Sequence, residues 1–418
     1  MNATQPEPWP PGNPAVNLPR FYAFQFLTNL QLWLPIWVLY LRDLRGLSLA
    51  QIAAMEALFW LVIVAAEMPT GAIADRWGRK LSLLLGAASN ALAVLIFGVA
   101  TGYALLLLSY LVWGISMTLT SGANTAFVYD TLAALGRERE FTKVWGRAQA
   151  WMMAAGLLAS LAGAPLAAVT NLAVPVQASV LSSVAAAAVG LGFREPPRLG
   201  SAARLAYGKV LRMAAQHALR HPPTRAMIAV TTVFGAATTA TFILTQPYLV
   251  DVGVPLALLG LVLAPVQLAS LTGSLTAHRL AARMGERHAF YLVCMLYSLA
   301  LLALGAAVSV WAIALLLALR WSGAARLPLA SDAITRHAPQ ELRATVASAA
   351  SLAVGLGTAL TQYPLGLLAD RTSVRAVFLV LGAGTAVLGG AALAWWSAAM
   401  RREQAALEPQ APLTTRAP

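Results

Sequence analysis

The stretch GAIADRWGRK, residues 71–80, packs one acidic and three basic side chains into ten positions. On either side lie ALFWLVIVAAEMPT (57–70) and LSLLLGAASNALAVLIFGVA (81–100), which hold one charged residue between them, Glu67. A dense polar knot between two apolar runs is the pattern of a short turn at a membrane surface. Working outward, apolar runs recur from Phe21 to Trp396, and a run of ~18 or more residues reads as a spanning helix. The chain of 418 residues is 59% apolar and only 11% charged, with mean hydropathy +0.69. A soluble domain carries about 25% charged residues, so this chain cannot cover its surface for water. Lipid offers backbone groups no partner and the alternation of a barrel is absent, which leaves helices. The expected fold class is an all-α polytopic membrane protein.

Twelve spans are expected, near residues 20–42, 49–72, 81–100, 104–128, 145–169, 171–192, 224–249, 255–278, 288–308, 310–331, 345–369 and 374–397. With the N-terminus in the cytoplasm, 23 of the 29 Lys and Arg residues fall in cytoplasmic segments. External loops hold only Arg42, Arg45, Arg371 and Arg375, while Arg320 and Arg326 fall inside span ten. Basic residues stay on the cytoplasmic side during insertion, so both tails are expected inside a cytoplasmic (inner) membrane. The net charge of +13 is thereby explained by loop topology, without nucleic acid.

The organisation follows. Residues 1–19 are a Pro-rich tail without signal-peptide character, and 20–192 hold the first six spans. Residues 193–223 form a basic linker, and 224–397 and 398–418 hold the second six spans and a C-terminal tail. In the linker Arg204, Arg212 and Arg220 recur at multiples of four, with Lys209 near that face. This suits either an amphipathic helix on anionic lipid or a plain basic connector. Offsetting the halves superposes Gly156 on Gly355, Pro165 on Pro364, and Asp130-Thr131 on Asp332-Ala333, all in corresponding spans. Two pseudo-symmetric six-helix bundles would produce those matches.

At this point GAIADRWGRK resembles the signature loop of the major facilitator superfamily, G-x-x-x-D-R-x-G-R-K/R. EMPTG (67–71), SGANTAFVYD (121–130) and RATVAS (343–348) are similar to segments of its bacterial drug:proton-antiporter-like members. The resemblance covers essentially the whole chain. It departs after span eight, where GSLTAHRLAARMGER keeps Gly285 and Arg287 but has no acid matching Asp75. Span five keeps Gly156 and Gly163-Ala-Pro165, a degraded antiporter motif. The resemblance implies a secondary active transporter working by alternating access, as a monomer, with protons as coupling ion and a small-molecule substrate. Efflux of a hydrophobic or cationic compound is the expected direction, and import or facilitated passage of a nutrient is the alternative.

The resemblance also implies a gate made of Gly71, Asp75, Arg76, Gly78, Arg79, Lys80, Asp130 and Arg343. In it Asp75 meets the start of span eleven, and Arg76 or Arg79 reaches Asp130, while the cytoplasmic side is closed. A carboxylate at a helix start contributes about 0.3 to 1 kcal/mol, and up to ~2 when partly buried, enough to bias a two-state equilibrium. The bland reading is a solvated loop obeying the positive-inside rule.

Ionisable residues inside spans are costly and become functional candidates. Glu56 and Glu67 stand eleven residues apart in span two, on one helix face and about 16 Å apart. Both are proton-coupling candidates, with Glu67 favoured because it precedes Pro69 and Glu56 expected nearer water. Arg320 and Arg326 are six apart and point in different directions. One is expected at the central cavity and the other beside an acid or a headgroup. Gln25, Asn29, Asn124, Gln246 and Gln362 are further candidates for the substrate path, although polar groups also hold helices together.

Other classes fit poorly. No G-x-x-x-x-G-K-[ST] loop occurs, which removes ATP hydrolysis by that route. The single cysteine, Cys294, and five histidines placed in or beside loops offer no metal cluster and no catalytic constellation. No cofactor is expected and the chain is not expected to be an enzyme. A membrane sensor that never transports remains as the alternative of another class.

Overall fold

The computed structural model describes residues 14–197, 216, 220–306, 312–336 and 343–407. Among the described residues every regular element is helical. Eleven segments are long and apolar enough to cross a membrane. These are spans two to twelve, of which the second to sixth are Leu49–Trp77, Arg79–Val99, Tyr103–Ala134, Phe141–Val169 and Ala173–Leu191. The seventh to eleventh are Pro222–Asp251, Leu259–Met284, Glu286–Ala306, Ala312–Arg336 and Arg343–Arg371. The twelfth joins helices Val374–Gly384 and Gly390–Leu407 through a π turn at Thr385–Gly389.

The first span differs from the continuous helix expected over 20–42. A helix at Asn17–Asn29 stops, and a 3-10 turn at Leu34–Ile36, a short helix at Trp37–Leu39 and a π turn at Tyr40–Leu44 complete the crossing. Pro35 sits in the break, and proline removes a backbone donor and clashes with the preceding turn. The break is held from outside. Gln31 bonds Ser183, the Leu32 amide bonds Ser179 Oγ at 2.8 Å, and the Leu30 carbonyl accepts from Ser182. Gly163 of span five lets the freed backbone approach, since a Cβ there would lie 1.9 Å from the Leu32 oxygen. With this crossing the spans among the described residues number twelve, and both described ends of the chain share one edge of the molecule. That edge is called near, and the opposite one far.

Several turns follow from local chemistry. Ser48 and Gln51 form a capping box at the start of span two, satisfying two amides that a helix start leaves open. Spans two and eight both end on a glycine with positive φ, Gly78 at 114° and Gly285 at 80°, a region that side chains other than hydrogen rarely enter. The shared turn supports the internal repeat between the halves.

Packing inverts that of a soluble protein. Large apolar side chains such as Leu181, Val169 and Leu360 face outward, while Ser82, Asn90, Ser116, Thr131 and Ser183 are buried. Small polar residues stitch neighbouring helices: Ser82 Oγ donates to the Leu119 carbonyl and Ser116 Oγ to that of Gly86, each at 2.7 Å. Without water to drive association, close packing and such bonds do the work. The expected linker helix and the outer parts of both tails fall mostly outside the described residues.

Candidate functional site

The two halves meet along spans two and eleven, which run antiparallel. Leu49, Ala53, Glu56, Trp60, Val64, Glu67 and Gly71 recur at three- and four-residue intervals and so form one stripe of span two. At its far end the stripe is zipped. A Cβ on Gly366 would lie 2.7 Å from both the Ala53 Cβ and the Leu49 oxygen, and one on Gly355 would lie 2.9 Å from Val64. The Asp370 carboxylate accepts from the Leu49 amide at 2.9 Å and the Ala50 amide at 2.8 Å. This carboxylate of the second half thus closes a helix start of the first, where the aligned backbone dipoles favour negative charge.

Towards the near edge the same stripe is unzipped. Glu67 and Gly71 are exposed, and a Cβ on Gly71 would meet nothing within 4 Å. Glu56, by contrast, is shut in the zipped part with 7% of its surface exposed, beside Tyr110. The two carboxyl groups expected on one face therefore occupy opposite environments. Glu56, expected nearer water, is the sealed one.

The signature loop makes several contacts to residues of its own half. Arg79 donates to Asp75 at 2.8 Å and lies 3.6 Å from Asp130, so it is Arg79 that bridges to span four. The Arg76 guanidinium lies 6.0 Å from the Trp77 ring centroid. Gly78 turns the chain, and the Glu195 carboxylate fills the space beside it. Glu195 accepts from the Arg79 amide at 2.6 Å and the Lys80 amide at 2.7 Å. Arg343 is exposed at the first residue of span eleven. Asp332 pairs with Arg336, which also holds Glu286 of span nine at 2.6 Å. Glu195 and Asp370 were missed from sequence, because each is a lone acid whose amide partners lie far along the chain.

The polar candidates divide. Gln246 of span seven accepts from the Val38 amide at 2.9 Å and donates to the Leu34 carbonyl at 2.8 Å, clamping the broken first span against the second half. Gln362 donates to the Ala236 carbonyl at 3.2 Å, joining spans eleven and seven. Asn29 donates to the Gln25 carbonyl at 2.8 Å, and Gln25 is buried. The Asn124 side-chain oxygen is buried without a hydrogen bond among the described residues.

Two cavities lie along span ten. The first, about 130 Å³, lies between the halves under Leu34, Ser160, Gln246 and Gln267, with Arg320 on its wall. The second, about 320 Å³, is lined by Trp60, Thr231, Arg326, Ser331, Ser351 and Val354. The expectation that one arginine pairs with an acid fails: among the described residues neither has an ion pair. Each instead lies over a ring of span seven, Arg320 with Phe242 at 5.5 Å and Arg326 with Phe234 at 5.6 Å.

Comparison with known proteins agrees with this architecture. The model of the Major Facilitator Superfamily matches residues 21–361. The fold resembles a crystal structure of a point variant of the nucleoside transporter NupG, with TM-score 0.81 and 14% identity over 92% of this chain and 100% of that one. It also resembles a bacterial homolog of the human lysosomal transporter Spinster, inward-facing and unoccupied, with TM-score 0.70 and 15% identity over 93% and 96% of the two chains. At such identities the likeness is one of fold. An uncharacterized MFS-type transporter of Bacillus subtilis (strain 168), YxaM, is 31% identical over 105 residues, 25% of this chain. That match spans about a quarter of the relative, 26% of its length. With twelve crossings in two bundles, a seam between them and two cavities along span ten, the chain belongs to the major facilitator superfamily, whose members are membrane carriers and not enzymes.

Proposed function

We propose that the chain moves a small molecule across the cytoplasmic membrane by alternating access, driven by protons taken up at Glu56. The near edge is read as cytoplasmic, as the distribution of basic residues favours, which makes this pose inward-facing in the proposal. A single copy contains both bundles and both cavities, and no second chain is required.

The observation that carries this reading is the contrast along span two. Glu56 is sealed in the zipped part of the seam, and Glu67 is exposed in the unzipped part of the same stripe. Rocking the halves would wet Glu56 and cover Glu67. A carboxyl group that passes between a sealed seam and water can take up a proton in one pose and release it in the other.

Export is the direction the drug:proton-antiporter-like motifs favour. Trp60 and Phe242 in the cavity walls suit a partly hydrophobic body. The two guanidinium groups count against the cationic cargo expected from sequence alone.

The test is flux in proteoliposomes under an imposed pH gradient, across a panel of labelled compounds. Glu56→Gln is expected to abolish gradient-driven accumulation while leaving counterflow of the same compound intact. Uphill flux at the wild-type rate in that variant would overturn the coupling role. Absence of flux with every compound and either gradient would favour a sensor.

A further inference from the structure

Arg326 is 2% exposed, and its Nε is buried without a partner, as is that of Arg320. Among the described residues neither guanidinium donates a hydrogen bond. Arginine stays protonated at any accessible pH, so it cannot relieve an apolar setting by losing its charge. An uncompensated charge inside a membrane protein is costly and marks a functional position. The aromatic faces beside the two groups offset part of that cost and leave the hydrogen-bonding forks open.

The two groups share one wall. Phe234, Thr238 and Phe242 recur every four residues and so line one face of span seven. Arg326 lies over its near end and Arg320 over its far end. Between them Tyr297 of span nine reaches in, its hydroxyl 3.2 Å from Thr238 Oγ1 and its ring 5.7 Å from that of Phe234. Six residues of helix separate the arginines by about 9 Å, the scale of one small organic molecule. Ser331, Ser351 and Trp60 line the cavity at the near position, and Gln246 and Gln267 the one at the far position.

We infer that Arg320 and Arg326 form the recognition site for an organic anion, a molecule with a carboxylate or phosphate group on a partly apolar body. Planar guanidinium forks match the oxygens of either group. Each position serves one of the two cavities along span ten, Arg326 the one nearer the cytoplasmic opening and Arg320 the one at the zipped end. This reading deepens the transport assignment and rests on it.

The test uses the full-length protein in lipid nanodiscs at fixed ionic strength, with no gradient. Benzoate, benzamide and benzamidine share one shape and differ in charge, and phenyl phosphate tests the second acidic group. Benzoate or phenyl phosphate is expected to raise the thermal midpoint by a few degrees at saturation, with benzamide and benzamidine producing no comparable shift. Arg326→Gln and Arg320→Gln are each expected to weaken anion binding roughly tenfold or more. If a Gln variant does not fold, the Lys variant keeps the charge and should retain the anion preference at reduced affinity. Stronger stabilisation by benzamidine than by either anion, no anion shift in the wild type, or an unchanged shift in the double Gln variant would overturn the site. Transport of a neutral or cationic compound alongside any of those results would leave the carrier assignment standing. Anion binding without flux would support the site and count against transport.

Discussion

The two ends of the seam between spans two and eleven carry the same tripeptide in opposite situations. Span eleven ends with Ala369-Asp370-Arg371 at the far edge, and the last turn of span two carries Ala74-Asp75-Arg76 at the near edge. Asp370 crosses to the other half and caps the start of span two through two amides. Asp75 is bonded by Arg79 within its own half, one turn beyond a Gly71 that meets no neighbour. The seam thus has one clamp built at its closed end and a matching carboxylate at its open end. Local chemistry alone does not decide which end is shut; the pose of the halves does.

That comparison is broken most severely at Gly366. Its Cβ position lies 2.7 Å from Leu49 backbone and Ala53, so Gly366→Leu pries open the closed end. Transport is expected to fall at least tenfold, with a cysteine introduced at the far edge, such as Gln51→Cys, becoming more reactive to a membrane-impermeant thiol reagent in a Cys294→Ser background. Unchanged flux would mean the close approach is dispensable.

A smaller effect is expected from Asp370→Ala. Losing a carboxylate cap costs about 1 to 2 kcal/mol, which shifts the balance between poses towards far-open by roughly five- to thirtyfold. Labelling rates at the far edge read this directly, and transport should drop severalfold.

Asp75→Ala should act with the opposite sign and the least force, because its carboxylate lies at the end that is already open. Insertion is expected to stay intact, transport to fall, and the population to move further towards near-open. Combining Asp75→Ala with Asp370→Ala should bring the balance back towards wild type. A double variant that adds both shifts in the same direction would show that the two acids are not opposing clamps.

Much of this architecture was legible in sequence because it depends on local pattern. Apolar runs placed the spans, and the crowded polarity of residues 71–80 marked the signature turn. Pro35 was also a visible warning that span one does not run straight, but the run over residues 20–42 reads as continuous until Gly163 and Ser179 are seen to hold its break. What stayed hidden depends on neighbours distant in the chain. Asp370 meets amides more than 300 residues away, and Glu56 is sealed by packing that no single helix specifies. Residue spacing put Glu56 and Glu67 on one stripe of span two. It could not say which part of that face would be covered, because the answer belongs to one pose of the two halves.

The central claim, that the ends of this seam open and close in alternation, is tested most directly by two spin-label distances measured on the same protein in nanodiscs. One pair, Ala72→Cys with Ser348→Cys, reports the near edge, and the other, Gln51→Cys with Thr372→Cys, reports the far edge; all four positions are exposed or partly exposed. When bound compound or lowered pH shifts the population, the near distance should shorten as the far distance lengthens. Two distances that stay fixed, or that change together in the same sense, would contradict it.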